Sequence, residues 1–189
     1  MLKLHGEMRT DREVDINSFR EEFNEISKLY KPYLIYNLDE TALYYKLIPL
    51  KNVCRIRFQG YKNFKDRVSI MLCSNMTGSE IWMIGKPKMS RCFRNFDYGC
   101  LVSYYYSSQK AWMTGFIFID WIISFDLLLK IEKKTILLLI DHCPAHSIPQ
   151  NWDCIKILFF PENSTGLLQP VYIRIIKTFK THFMRRKLQ

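Results

Sequence analysis

The stretch ILLLIDHCPAH (136–146) limits what this chain can fold into more than any other. Five consecutive Ile and Leu residues, with no polar alternation, predict a strand buried on both faces. Strands of that kind belong to sheets covered by helices on both sides. Asp141 then stands at the carboxyl end of the strand, outside which ligands sit in open α/β sheets. An acid there is held by a rigid element yet meets water, as a metal-binding or proton-handling group requires. Asp141 also reads as an ordinary strand-ending turn residue. A second acid at the end of a second strand would favour the first reading.

The rest of the chain supplies elements around that strand. Residues 13–30 place Ile16, Phe19, Phe23, Ile26 and Leu29 at spacings of three and four, the mark of an amphipathic helix. Asp15 is its expected cap and Lys31-Pro32 its expected end. Residues 34–38 form a short apolar strand that ends at Asp39. Two strands, 68–74 and 80–85, flank a turn at 75–78. Residues 97–110 are rich in Tyr and Ser and show no period. A helix is expected over 111–129, with Trp112, Phe116, Ile119, Ile122 or Ile123, and Phe125 or Asp126 on one side. Residues 154–160 read as another buried strand, and Pro170 suits the first position of a last helix over 171–187. In that helix Tyr172, Ile175, Ile176, Phe179 and Phe183 make an apolar stripe. The sum is an α/β fold: a mixed sheet with helices packed on it.

Charge narrows the class of partner. The formal net charge is +10, and 48% hydrophobic content argues for a packed globule, so the surface should attract polyanions, nucleic acid first. Residues 171–189 carry Arg174, Lys177, Lys180, Arg185, Arg186 and Lys187 without one acid, six of that excess. They read as a phosphate-contacting helix, or as a solvated face whose cations suit the helix C-terminus. Lys86, Lys88 and Arg91, around Pro87, form a second candidate contact in a basic loop. No uninterrupted apolar run reaches the ~18 residues of a membrane helix, so no membrane partner is expected. The six cysteines show no zinc-finger spacing, and the opening MLKLHGEMRTDRE lacks a signal-peptide core. Reduced thiols in an intracellular protein follow.

Asp39 and Asp141 occupy equivalent places, each closing an apolar strand. Two rigidly held carboxylates suit Mg²⁺ or Mn²⁺, and a pair of such ions ~3.5–4 Å apart can stabilise attacking and leaving oxygens in phosphoryl transfer. The segments YNLDETALYYKLIP (36–49), KDRVSIMLCSNMTG (65–78), IGKPKMSRCF (84–93), KAWMTGFIFIDWI (110–122), ILLLIDHCPAH (136–146), IKILFFPENSTGLLQP (155–170) and IIKTFKTHF (175–183) resemble, in order, the blocks of the DDE superfamily endonuclease domain. The nearest likeness is to the pogo/Tigger and jerky-like transposase-derived group. The resemblance implies a ribonuclease-H-like fold, DNA as substrate and metal-dependent strand cleavage and transfer. It also implies a nuclear protein, with a homodimer as an admissible assembly. Asp39 maps on the family's first catalytic acid and metal ligand, Asp141 on its second. Residues 34–189 would form the DDE-type domain and 1–33 a helical lead-in, without the family's N-terminal helix-turn-helix region.

The departures shape the functional expectation. Where the family carries hydrophobic-Asp-Gln-Gly after Gln-Pro, this chain has Val171-Tyr172-Ile173-Arg174, so Tyr172 stands at the third metal-ligand position. No Asp or Glu follows Glu162. A neutral phenol is a poor ligand for a hard dication beside a carboxylate. His142 replaces the family's Asn, and His146 occupies a family His position as a partner for the loop. The expected function is therefore binding of the DNA phosphate backbone with impaired catalysis. Mg²⁺ or Mn²⁺ is expected only if the site is still competent, and otherwise no cofactor. An active Mg/Mn-dependent endonuclease, completed by Glu40 or water, stays open. So does a protein-interaction module that keeps only the fold.

Overall fold

The structure, a computed structural model, describes residues 4–45, 66–75, 79–85, 103–146 and 152–187, without the side chains of 4–14, 79–85 and 103–105. Helix α1 spans Leu4–Ser27. Strands β1 (Ile35–Leu43), β2 (Val68–Ser74), β3 (Ser79–Gly85) and β4 (Ser103–Ser107) follow, then helix α2 (Gly115–Glu132) and strands β5 (Ile136–Ile140) and β6 (Ile155–Phe159). Short helix α3 (Thr165–Leu168), a π-turn (Val171–Ile176) and helix α4 (Lys177–Lys187) complete the order. The strands form one six-stranded sheet in the order β4-β3-β2-β1-β5-β6. Backbone contacts divide the chain into two compact units, 1–39 with 72–80 and 114–189, and 40–71 with 81–113.

The first unit is built on three parallel strands. Residue Ile35 pairs with Leu137 and Asn37 with Leu139, and Ile136 through Ile140 pair with Ile155 through Phe159. Every residue of β5 is buried, as an unbroken Ile/Leu run requires when helices cover both faces. Alternation along the strands sorts the cover. Leu137 and Leu139 pack with Phe19 of α1, Leu158 and Phe160, and Phe23, Ile26 and Ile35 join them. Tyr36, one residue on from Ile35, meets Phe125 of α2 edge-on at 5.7 Å. Trp121 and Phe118 of α2 are completely buried. Truncating Phe118 to Ala should therefore cost about 3–5 kcal/mol of stability.

Several elements differ from the sequence-based expectations. Helix α1 begins at Leu4 rather than near 13, so Asp15 lies inside it and caps nothing. Leu29 falls beyond the helix end and is 81% exposed. Helix α2 cannot begin at Ala111, whose φ of 52° is left-handed; Thr114 caps it instead, its Oγ1 accepting from the Ile117 N–H at 3.3 Å. The buried face also differs in part from the expected one. The buried residues are Ile117, Phe118, Trp121, Ile122, Phe125, Asp126 and Leu129, whereas Trp112 and Phe116 are exposed. The Tyr/Ser-rich segment contains β4, paired in parallel with β3, because aromatic residues favour strands even without alternation. In the second unit the Arg67 guanidinium lies 4.4 Å from the Trp112 ring centroid, a cation–π contact.

Asp126 shows why a carboxylate can sit on the buried face of α2. Its Oδ1 accepts from the Cys154 N–H at 2.9 Å, and its Oδ2 meets Lys130 Nζ at 2.9 Å. The same ammonium reaches Asp153 Oδ2 at 2.8 Å, which ties the last turns of α2 to the approach to β6. Lys130 holds the Asp153 carboxyl below its ordinary range. A lowered native value stabilises the fold above the unfolded carboxylate pKa of about 3.9, and that contribution disappears as pH falls through the native value. Asp153 is largely exposed, so the effect should be small and screened by salt. The expected result is a urea midpoint for Asp153→Asn slightly below wild type at pH 6, the two converging towards pH 2.

Candidate active site

Asp39 lies within β1 rather than at its end, since the strand continues to Leu43. β2 flanks β1 on the side away from β5, so β1 keeps a neighbour after β5 stops at Ile140. Asp39 and Asp141 each stand two residues beyond the last paired positions, Asn37 and Leu139. The backbone register thus sets the two acids level on adjacent parallel strands. Asp39 is 5% exposed, and strand alternation gives it the same face as Asn37. Asp141, just past its strand, keeps a side chain 29% exposed.

Asp141 is held by the turn it begins. A 3-10 turn, Pro144–His146, brings the buried His146 back beneath it. His146 Nδ1 lies 2.9 Å from Asp141 Oδ1 and 3.1 Å from the Asp141 main-chain oxygen. A main-chain oxygen can only accept, so Nδ1 carries the proton. Phe118 fixes the imidazole from the other side, with ring centroids 4.6 Å apart. His146 is thus the loop-holding partner expected of it. His142 points elsewhere and stacks on Phe159 of β6 at 4.6 Å.

Position 172 is set by a clamp that sequence reading passed over. Asn37 Nδ2 donates to the Leu139 oxygen at 3.1 Å and to the Leu38 oxygen at 3.3 Å. Its Oδ1 accepts from the Val171 N–H at 2.9 Å. Gln169, fully buried, donates from Nε2 to the Leu38 oxygen at 2.9 Å. Two amides therefore fasten the start of the π-turn to β1, next to Asp39. The sequence offered one hint, Asn37 interrupting an apolar strand, where a buried amide needs partners, but which groups the two amides reach is visible only in the fold.

Tyr172 is the second residue of that π-turn and is 47% exposed, outside the apolar stripe expected of it. The reason is the wide turn. A π-turn bonds i to i+5, so Val171 and Ile176 are the buried pair, while Ile175, Phe179 and Phe183 are half-buried. Arg174, Lys177, Arg185 and Arg186 are exposed, and Lys187 partly so. Lys86, Lys88 and Arg91 lie outside the described residues. Among the described residues no helix is long and apolar enough to cross a membrane, and Cys73, Cys143 and Cys154 are free thiols.

Residues 65–189 match the DDE superfamily endonuclease family. The chain belongs to that family. It is 32% identical over 162 residues to Tigger transposable element-derived protein 4 of Mus musculus, a match covering 82% of this chain and 31% of the relative. With CENP-B homolog protein 2 of Schizosaccharomyces pombe it shares 31% identity over 197 residues, 97% of this chain and 38% of the relative. Jerky protein of Mus musculus is 29% identical over 170 residues, 81% and 30% of the two chains. The chain thus spans about a third of the length of these curated relatives. Among solved structures, a Mos1 transposase paired-end complex with left transposon end matches with a TM-score of 0.56 at 10% identity, over 89% of this chain and 47% of that one. The catalytic domain of Mos1 mariner transposase gives 0.52 at 10%, over 89% and 69%. These likenesses establish the fold of this DDE-family chain: a ribonuclease-H-like mixed sheet flanked by helices.

Proposed function

We propose that this DDE-family chain is a transposase-derived domain that binds the DNA phosphate backbone and has lost efficient strand cleavage. Residues 34–189 act as the DDE-type domain, with 1–33 as its helical lead-in. The observation that carries the reading is Tyr172: it is the second residue of the π-turn clamped beside Asp39, and residues 163–189 hold no carboxylate side chain. Asp39 and Asp141 are the two remaining family acids, hard oxygen donors of the kind Mg²⁺ or Mn²⁺ prefers. Asp39 and Asp141 with a phenol at position 172 lack the third acid of the family pattern, and such a set should hold two dications poorly. No cleavage step is therefore assigned to this chain.

The exposed cations of the π-turn and α4 support DNA binding. Arg174, Lys177, Arg185 and Arg186 face solvent on a segment without acids, and charge of that kind gives affinity without sequence preference. We propose the nucleus as its location, which is where a DNA-binding domain of this descent would act. Lys86, Lys88 and Arg91 are proposed as a second contact. The test is a duplex-DNA titration at several salt concentrations. Binding should fall linearly on a log–log plot, and replacing Arg185, Arg186 and Lys187 by Gln should reduce the slope by about 2–3. Salt-independent or absent binding would favour the protein-interaction reading.

A further inference from the structure

In the second unit, Trp112 is mounted firmly yet stands at the surface. Beyond β4 the chain makes a tight turn in which the Ala111 N–H donates to the Ser108 oxygen at 3.0 Å. The Ser108 hydroxyl grips both backbone groups of Trp112. It accepts from the Trp112 N–H at 2.8 Å and donates to the Trp112 oxygen at 2.8 Å. Ala111, buried and left-handed, anchors the turn to β2, because its oxygen accepts from the Ser69 hydroxyl. So firm a mount would ordinarily deliver an indole into a core, since tryptophan is highly buried on average. Here the residue is 56% exposed. One face of the ring lies under the Arg67 guanidinium, so the exposure belongs to the opposite face and the edges.

We infer that Trp112, backed by Arg67, is a stacking site for an unpaired DNA base. A ring already fixed through its backbone loses little freedom when a second ring settles on it. The surrounding charge selects the ligand. Arg67 covers one face, and the exposed Lys110 stands two residues before Trp112. A cationic guest would be repelled there, whereas a nucleotide brings an aromatic ring together with a phosphate. In a duplex the faces of each base are covered by its neighbours, so the site can take only a base that is out of the stack. Stacking needs no more than a π-face, so thymine or any other base would serve. The inference rests on the reading of the chain as a DNA-binding domain, but it uses none of the α4 cations and adds base contact to phosphate contact.

The test is a titration of the whole chain with labelled oligothymidine, with an abasic strand of the same length and with a blunt duplex. Binding is read by fluorescence anisotropy at several salt concentrations. Wild type should hold oligothymidine more tightly than the abasic strand. Trp112→Ala should weaken oligothymidine binding by about 5–150-fold, the contribution of one base–aromatic stack. It should leave the abasic strand, the duplex and the slope of affinity against salt unchanged, because a stacked base releases no counterions. Unaltered abasic binding also reports an intact fold, and Trp112→Phe, which keeps a ring, should retain most of the preference for thymine. Equal wild-type affinity for the two single strands overturns the inference. So does a Trp112→Ala chain that still prefers oligothymidine, or one that weakens alike on all three probes. Failure of the phosphate-backbone reading shows separately, as a duplex affinity that ignores salt.

Discussion

Tyr172→Asp is expected to give the chain Mn²⁺-dependent nicking of duplex DNA well above the wild-type level. The substitution returns a hard, charged oxygen donor to the first turn after the Asn37 clamp. Tyr172 is half-exposed, so replacing it leaves no cavity and the fold should be unaffected. Outer-shell partners of metal ligands are already worth about 10–100-fold in affinity or activity, and a ligand itself should exceed that. Asp141→Asn in the Tyr172→Asp background should abolish the gain, which separates restored chemistry from a contaminating nuclease. In the wild-type background Asp141→Asn should change nothing. The proposal fails if wild type already cleaves and Asp141→Asn stops it, because the site would then be competent without a third carboxylate.

The second large effect concerns the clamp. Asn37→Ala removes one acceptor and two donated bonds from a residue 5% exposed. Each buried bond is worth about 0.5–1.5 kcal/mol, and a partner left unsatisfied costs more. A loss of about 3 kcal/mol is expected, a drop of roughly 6–12 °C in thermal midpoint for a chain of this size. Gln169→Ala should cost less, since Gln169 donates a single described bond. If Asn37→Ala melts within a degree of wild type, the amide does not fasten the π-turn. Combined with Tyr172→Asp, Asn37→Ala should also erase the restored cleavage at temperatures where the fold persists, by misplacing position 172.

What could be read from the residues depended on whether an element answers to its own pattern or to its neighbours. Strand β5 was plain because five buried aliphatics in a row admit few other structures. The extent of β1 was not, because β2 prolongs it past Asp39. The face of α2 was read only in part, Ile122, Phe125 and Asp126 being buried but Trp112 and Phe116 exposed: the helix is apolar nearly all round, so periodicity alone does not say which side meets the sheet. Residue identity alone raised the expectation that Tyr172 stands where the family carries its third acid. Asn37 and Gln169 needed coordinates, since an amide's role lies in which carbonyls and N–H groups it reaches across the fold.

The wide turn at Val171–Ile176 has one more consequence. By inserting roughly one residue relative to a regular helix, it sets the angular phase of everything after it. Deleting a single residue there would let the segment close into ordinary α-helical winding and swing Lys177 through Lys187 by about 100° around the axis. The cations of α4 are thus aimed by one extra peptide unit, and an indel of one residue would redirect them without altering a single charge.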